Sequence, residues 1–179
     1  MTHSIQYPSK PFPNSYWLMP NKILAGEVPI ASDPQFTDRK VEALLNSGIQ
    51  VFINLIQEPA FNYEETLNRV AQQQKIQVEY FSFPIRDFDI PTGDFMKEIL
   101  DTIDKNVKEQ KPVYFHCYAG LGRTGITAGC WIARHCQLTD EGIVRFLWNL
   151  RKKQNHLINH DSPQTAEQLQ MVFDWEFRK

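Results

Sequence analysis

Short apolar runs alternate along this chain with longer stretches in which apolar residues recur every third or fourth position, so strands are expected to alternate with helices. Residues 22–26, 49–55 and 78–83 read as strands, and 113–115 as a fourth that ends at His116. Asp33-Pro34 opens a helix running to Ser47-Gly48, with Phe36, Val41, Leu44 and Leu45 on its inner side. Residues 63–75 read as a polar helix. Residues 93–110 make a better-marked one, with Phe95, Ile99, Ile103 and Val107 spaced four apart. A helix of mostly small and apolar residues follows over 124–135. The next spans 139–153 with Ile143, Val144, Leu147 and Leu150 inward. The last spans 162–178, with Ser162 as its N-cap and Pro163 in the first turn. Residues 1–14 contain three prolines and read as an irregular arm, leaving 15–179 as one domain. This order implies an α/β fold, a three-layer sandwich with a mainly parallel central sheet flanked by helices.

The chemistry concentrates where the 113–115 strand meets the 124–135 helix, in His116-Cys117-Tyr118-Ala119-Gly120-Leu121-Gly122-Arg123-Thr124-Gly125. Tyr118, Ala119, Gly120, Leu121 and Gly122 together carry too little side chain to pack a core, so their successive N–H groups can curl inward as an anion nest. The following helix adds its unbonded N–H groups and the positive end of its dipole. A thiol in such a place ionises far more readily than a free one, and thiolate is the nucleophilic form. Arg123 brings a planar fork that holds two phosphoryl oxygens at once. The Thr124 hydroxyl is placed to help the sulfur leave in a second step. Cys117 is thus the expected nucleophile, Arg123 the clamp on the transition state, and His116 either orients the loop or simply packs.

These residues resemble the signature of the cysteine-dependent protein tyrosine phosphatase superfamily, His-Cys-x-x-Gly-x-x-Arg-[Ser/Thr]-Gly, at every specified position. The opening Tyr16-Trp17-x-x-Pro20-x-x-Ile23-Leu24-Ala25-Gly26 is similar to small bacterial and cyanobacterial members of its dual-specificity group. The resemblance implies a phosphotyrosine protein phosphatase-like fold and removal of phosphate from phosphotyrosine, with phosphoserine and phosphothreonine as further substrates, through a phosphocysteine. It also implies an acid on a loop after an apolar-Pro strand end. Phe83-Pro84-Ile85-Arg86-Asp87-Phe88-Asp89-Ile90-Pro91 offers Asp87 and, as the competing candidate, Asp89. Near the C-terminus, Gln164-Thr165-x-x-Gln168 looks like the segment that positions hydrolytic water in tyrosine-specific members; its alternative is a helix start whose glutamines face solvent. No metal or other cofactor is required, since Arg123 and the amides carry the electrostatics.

Composition narrows the setting. The 179 residues are 42% hydrophobic and 22% charged with a net charge of −2, which gives no electrostatic case for nucleic acid or an anionic membrane. No run approaches a membrane span, and residues 1–20 lack a secretory signal's charged start and apolar core, so a cytoplasmic setting is expected. The partner that the resemblance implies is a phosphorylated protein or peptide; the oligomeric state stays open, with a monomer expected. The three cysteines fit no zinc spacing; Cys130 and Cys136 read as packed residues, with Cys130 as a resolving thiol for Cys117 the sharper alternative. Tyr118, Phe88 and residues 59–63 are candidate pocket walls, and Arg86 a candidate second phosphate contact. Inositol-lipid members carry lysines in the loop where this chain has Tyr118 and Leu121. A phosphorylated metabolite, an inositol lipid and a non-catalytic phosphoprotein-binding module remain the alternatives.

Overall fold

The computed structural model describes residues 7–175. Among them, five strands form one sheet: β1 (Ser15–Met19), β2 (Ile23–Glu27), β3 (Val51–Ile56), β4 (Glu79–Ile85) and β5 (Val113–Cys117). Six helices surround it: α1 (Pro34–Asn46), α2 (Glu64–Gln74), α3 (Gly93–Lys108), α4 (Gly122–His135), α5 (Asp140–Lys153) and α6 (Ala166–Phe173). The strand order is β1-β2-β5-β3-β4, and only the β1–β2 pair is antiparallel. Helices α1 and α2 pack together, while α3, α5 and α6 gather around α4. This is the α/β sandwich the sequence implies, and β5, buried at all five positions, is its middle strand. The register sets Gly26 and Asn54 on either side of His116, so the C-terminal end of β5 is flanked by two strands that hold it in place. Parallel sheets present ligand sites at such strand ends.

Five expectations from the sequence need correction. Strand β1 was not foreseen; Tyr16 and Trp17 are buried in it, and the Gln154 side chain covers its open edge, accepting from Trp17 N at 2.6 Å and donating to Trp17 O at 2.8 Å. In α1 the inward stripe is Thr37, Val41, Leu44 and Leu45; Phe36 falls off it and is 52% exposed beneath the Arg39 guanidinium. Helix α4 begins at Gly122, two residues before the expected start, which puts Arg123 in its first turn. Helix α6 begins at Ala166 with Thr165, not Ser162, as its N-cap: the Thr165 hydroxyl accepts from Gln168 N at 3.2 Å and the Gln168 side chain bonds back in a capping box. The Ser162 hydroxyl instead reaches Leu121 O, 41 positions away in sequence. Residues 7–14 contain no regular secondary structure, whereas residues 1–6 of the expected arm and 176–178 of the expected last helix lie outside the described residues. Val144, expected inward on α5, is only half-buried, and Ile143, Leu147 and Leu150 form its buried face.

Candidate active site

Cys117 closes β5 and is 3% exposed. The chain then turns through Tyr118 to Leu121 and enters α4, whose N-cap residue Leu121 supplies no side-chain cap. Two features hold this turn. Val28 N–H donates to Tyr118 O at 3.1 Å, tying the loop to the end of β2. Gly120 has φ +76°, a backbone conformation that glycine adopts without cost, and a Cβ there would lie 2.5 Å from the Gly26 carbonyl carbon. Among the described residues, none of the N–H groups from Ala119 to Thr124 donates to a protein acceptor. Six consecutive amides at the mouth of an uncapped helix make a cradle suited to an oxyanion.

Arg123 is 2% exposed, yet its guanidinium is tethered at its far end. Nη1 donates to Ile85 O at 3.0 Å and Nη2 pairs with Asp87 Oδ1 at 3.0 Å. Glu58 Oε2 stands 3.5 Å from Nη1. The Nε–H is buried without a protein acceptor among the described residues, so the fork retains a donor for a bound oxyanion. The acid-loop candidates separate here. Asp87 reaches Arg123, whereas Asp89 turns its carboxylate back to accept from Ile90 N at 2.9 Å. Between them Phe88 takes a positive φ of 59° and is 59% exposed. Arg86 is exposed.

His116 lies behind the loop at the core end of the site. Its Nδ1 faces Cys117 O at 3.3 Å; a carbonyl only accepts, so Nδ1 carries the proton and Nε2 accepts from the Tyr63 hydroxyl at 2.8 Å. Burial first, and then the Arg123 charge, push its pKa down to about 3, so the imidazole is neutral across the ordinary pH range. Tyr63 itself is pushed well above the ordinary phenol value by burial. Thr124 is fully buried, and its hydroxyl donates to Gly26 O at a long 3.4 Å. A hydroxyl has one proton to give, so assisting the sulfur would require it to leave that carbonyl.

The glutamine segment lies against the loop. Gln168 is buried; its Oε1 accepts from Gln164 N at 3.0 Å and Thr165 N at 3.3 Å, and its Nε2 donates to Asp89 O at 3.2 Å. Gln164 Oε1 sits so near Gly122 that a Cβ there would meet it at 2.6 Å. Gln168 thus ties the 86–91 loop to the start of α6, beside Gly122, and of the two glutamines only Gln164 is exposed. Tyr118, 58% exposed, packs edge-on against Phe61 with ring centroids 5.3 Å apart, and the pair borders a cavity of about 410 Å³ that extends past Val28 and Ile30 to Lys40. Cys130 is buried within α4 and Cys136 half-buried after it. Among the described residues no group of three or more histidine, cysteine or acidic side chains could hold a metal ion, and no helix is long and apolar enough to cross a membrane.

Glu58, Tyr63 and Ser162 touch the site although the sequence marks none of them for it, Ser162 reading there only as a helix N-cap. Tyr63 lay in the segment expected to form a wall, but its contact to His116 spans 53 positions. Glu58 precedes a turn of 3-10 helix at Pro59–Phe61, and nothing in its neighbours points toward Arg123.

Comparison with known proteins agrees with this geometry. Residues 28–137 match the family profile Tc-R-P, described as "Polymorphic toxin system, DSP-PTPase phosphatase". The chain is 29% identical over 96 residues to mouse tyrosine-protein phosphatase non-receptor type 4, covering 51% of this chain and 10% of that protein. It is 26% identical over 132 residues to the phosphatidylglycerophosphate phosphatase PTPMT1 of Arabidopsis thaliana, covering 73% of this chain and 36% of that protein. The chain therefore spans between a tenth and about a third of the length of these relatives. Among solved structures, Tk-PTP in its active form superposes with a TM-score of 0.69 at 21% identity, covering 92% of this chain and 97% of that one, which establishes the shared fold.

Proposed function

The chain belongs to the Tc-R-P family of DSP-PTPase phosphatases, and on that footing we propose that it hydrolyses phosphomonoesters of proteins, phosphotyrosine first and phosphoserine and phosphothreonine second, through a phosphocysteine at Cys117. One observation carries the reading: the thiol of Cys117, the unbonded amides of residues 119–124 and the Arg123 fork meet at the end of β5, with Asp87 3.0 Å from that fork.

In the proposed reaction the Cys117 thiolate attacks phosphorus and a P–S bond forms. The P–O bond to the substrate breaks, and the Asp87 carboxyl gives its proton to the departing oxygen. In the second step water attacks phosphorus while Asp87 takes its proton; the P–S bond breaks and its electron pair returns to sulfur. Arg123 and the amides hold the equatorial oxygens, which suits the loose transition state of phosphoryl transfer. Asp87 must first release Arg123. That carboxylate is half-exposed, so water can solvate it while a phosphate dianion takes its place as the countercharge to the buried guanidinium. Tyr118, Phe61 and Phe88 stand at the rim as apolar walls for an aryl group.

The Arabidopsis relative, named as a lipid phosphatase, motivates a second substrate class, although the loop residues Tyr118 and Leu121 offer a polyanionic headgroup no charge. The proposed setting is the cytoplasm, where a thiol nucleophile stays reduced. The test is phosphate release from matched phosphotyrosine, phosphoserine and phosphothreonine peptides and from phosphatidylglycerophosphate vesicles. Peptide turnover that is lost in Cys117→Ser supports the reading. Turnover of the lipid alone replaces its substrate class, and binding of phosphopeptides without turnover replaces catalysis by a binding role.

A further inference from the structure

An amide serves an oxyanion only if its peptide plane is held. In a trans peptide the carbonyl and the next N–H point in opposite directions, so a carbonyl pinned away from the site turns its N–H toward it. Two such pins act on this loop. The Tyr118 carbonyl is held by the backbone N–H of Val28, which fixes the Ala119 amide without any side chain. The Leu121 carbonyl is held by the Gly125 N–H at 3.0 Å and by the hydroxyl of Ser162 at 2.8 Å, and the amide paired with it belongs to Gly122.

We propose that Ser162 is a positioning residue of the phosphate cradle, whose hydroxyl holds the Leu121–Gly122 peptide so that the Gly122 N–H faces the phosphoryl group above Cys117. Its hydroxyl is released from helix capping, because Thr165 takes that role for α6. Ser162 is 8% exposed. Its approach depends on Gly125, where any Cβ would collide with the Ser162 hydroxyl oxygen. The bare face of Gly122 in turn admits Gln164. Of the two pins, only this one is a side chain, so it is the one that a single substitution can remove. The Gly125 bond remains after removal and continues to hold the carbonyl partly, so loss of Ser162 loosens the cradle without dismantling it.

The inference rests on the phosphatase reading for its kinetic consequence but not for its binding consequence, and two readouts separate them. Ser162→Ala is expected to lower kcat on an aryl phosphate about tenfold, short of the ~100-fold loss typical of deleting an oxyanion donor outright, with KM changed by less than about threefold. Tungstate, a phosphate-shaped anion, is expected to bind the same variant several-fold more weakly by calorimetry. The downfield shift of the Gly122 amide on tungstate binding, read by ¹⁵N NMR, is expected to shrink. Ser162→Thr, which keeps the hydroxyl, restores the affinity and the shift. Should the alanine protein fail to fold, Ser162→Cys keeps the volume with a much weaker donor and is read the same way. Wild-type tungstate affinity and an unchanged Gly122 shift in a folded Ser162→Ala protein overturn the proposal. A wild type that binds tungstate but turns over no phosphomonoester overturns the phosphatase reading and leaves Ser162 to be judged on the anion data.

Discussion

Asp87 and Arg123 share an ion pair at 3.0 Å, and this contact divides the two aspartates of the acid loop: each carboxylate accepts from the next amide, Phe88 N or Ile90 N, but only that of Asp87 also reaches Arg123. If Asp87 protonates the leaving group, Asp87→Asn lowers kcat about 100-fold with a phenolic ester of ordinary basicity, the usual scale for a general acid. The loss shrinks for a nitrophenyl ester, whose oxygen departs without help. Asp89→Asn stays within about threefold. Steady-state kinetics on the two esters checks both, and equal losses in the two variants contradict the assignment.

Arg123 faces two carboxylates, and they have different consequences. Glu58, at 3.5 Å, is half-exposed and has no step assigned to it, so it acts as a competitor for the fork. Glu58→Gln is expected to tighten inhibition by inorganic phosphate about two- to threefold, in line with a single exposed charge contact. Arg123→Lys keeps the charge but loses the fork, and is expected to cost more than about 100-fold in kcat. Inhibition constants and kcat measured on the same preparations test the pair.

Gly120 combines a positive φ with a Cβ position 2.5 Å from the Gly26 carbonyl carbon. Gly120→Ala therefore moves the loop, and its strain is expected to cost about 1–3 kcal/mol of stability. Because the cradle is built on that turn, phosphate affinity and kcat fall together, kcat by about 100-fold or more, while circular dichroism stays that of a folded protein. Unchanged kinetics would show that the loop tolerates the methyl group.

Mild acid should destabilise the fold through two buried histidines. His116 and His156 both have pKa values pushed down to about 3, in each case chiefly by burial. The unfolded chain takes up a proton at each near the ordinary value of about 6.5, and the folded chain does not. Stability is therefore complete above about pH 6.5 and falls as the pH drops, each histidine contributing a slope of at most about 1.4 kcal/mol per pH unit. Urea unfolding at about pH 7 and pH 5 reads this. His156→Gln is expected to reduce the slope by about one proton. Equal stability at the two pH values contradicts the buried neutral state.

The loop between Cys117 and Arg123 was legible in the sequence because it is local: both residues are held by one turn, and the strand and helix on either side are marked by their own residues. The parallel sheet was legible for the same reason, from the alternation of periods. What escaped depends on contacts between distant segments. Ser162 and Thr165 are both acceptable N-caps by type, and the choice is made by Leu121, 41 residues from Ser162, which draws the serine hydroxyl away. Phe36 was placed inward by its hydrophobicity, but the stripe is set by where α1 begins and which side meets α2, and Thr37 takes the buried position. Strand β1 is completed by the Gln154 side chain from beyond α5. Glu58 reaches Arg123 only because β3 lies beside β5.

The most direct test is to quench a reaction of the wild-type protein with a ³²P-labelled phosphotyrosine peptide in acid within its first turnovers and to map the label. The expected result is one phosphoryl group on the peptide that contains Cys117, absent in Cys117→Ser, with phosphate release lost in the same variant. Phosphate release that proceeds with no label on Cys117, or that survives Cys117→Ser, contradicts a phosphocysteine intermediate.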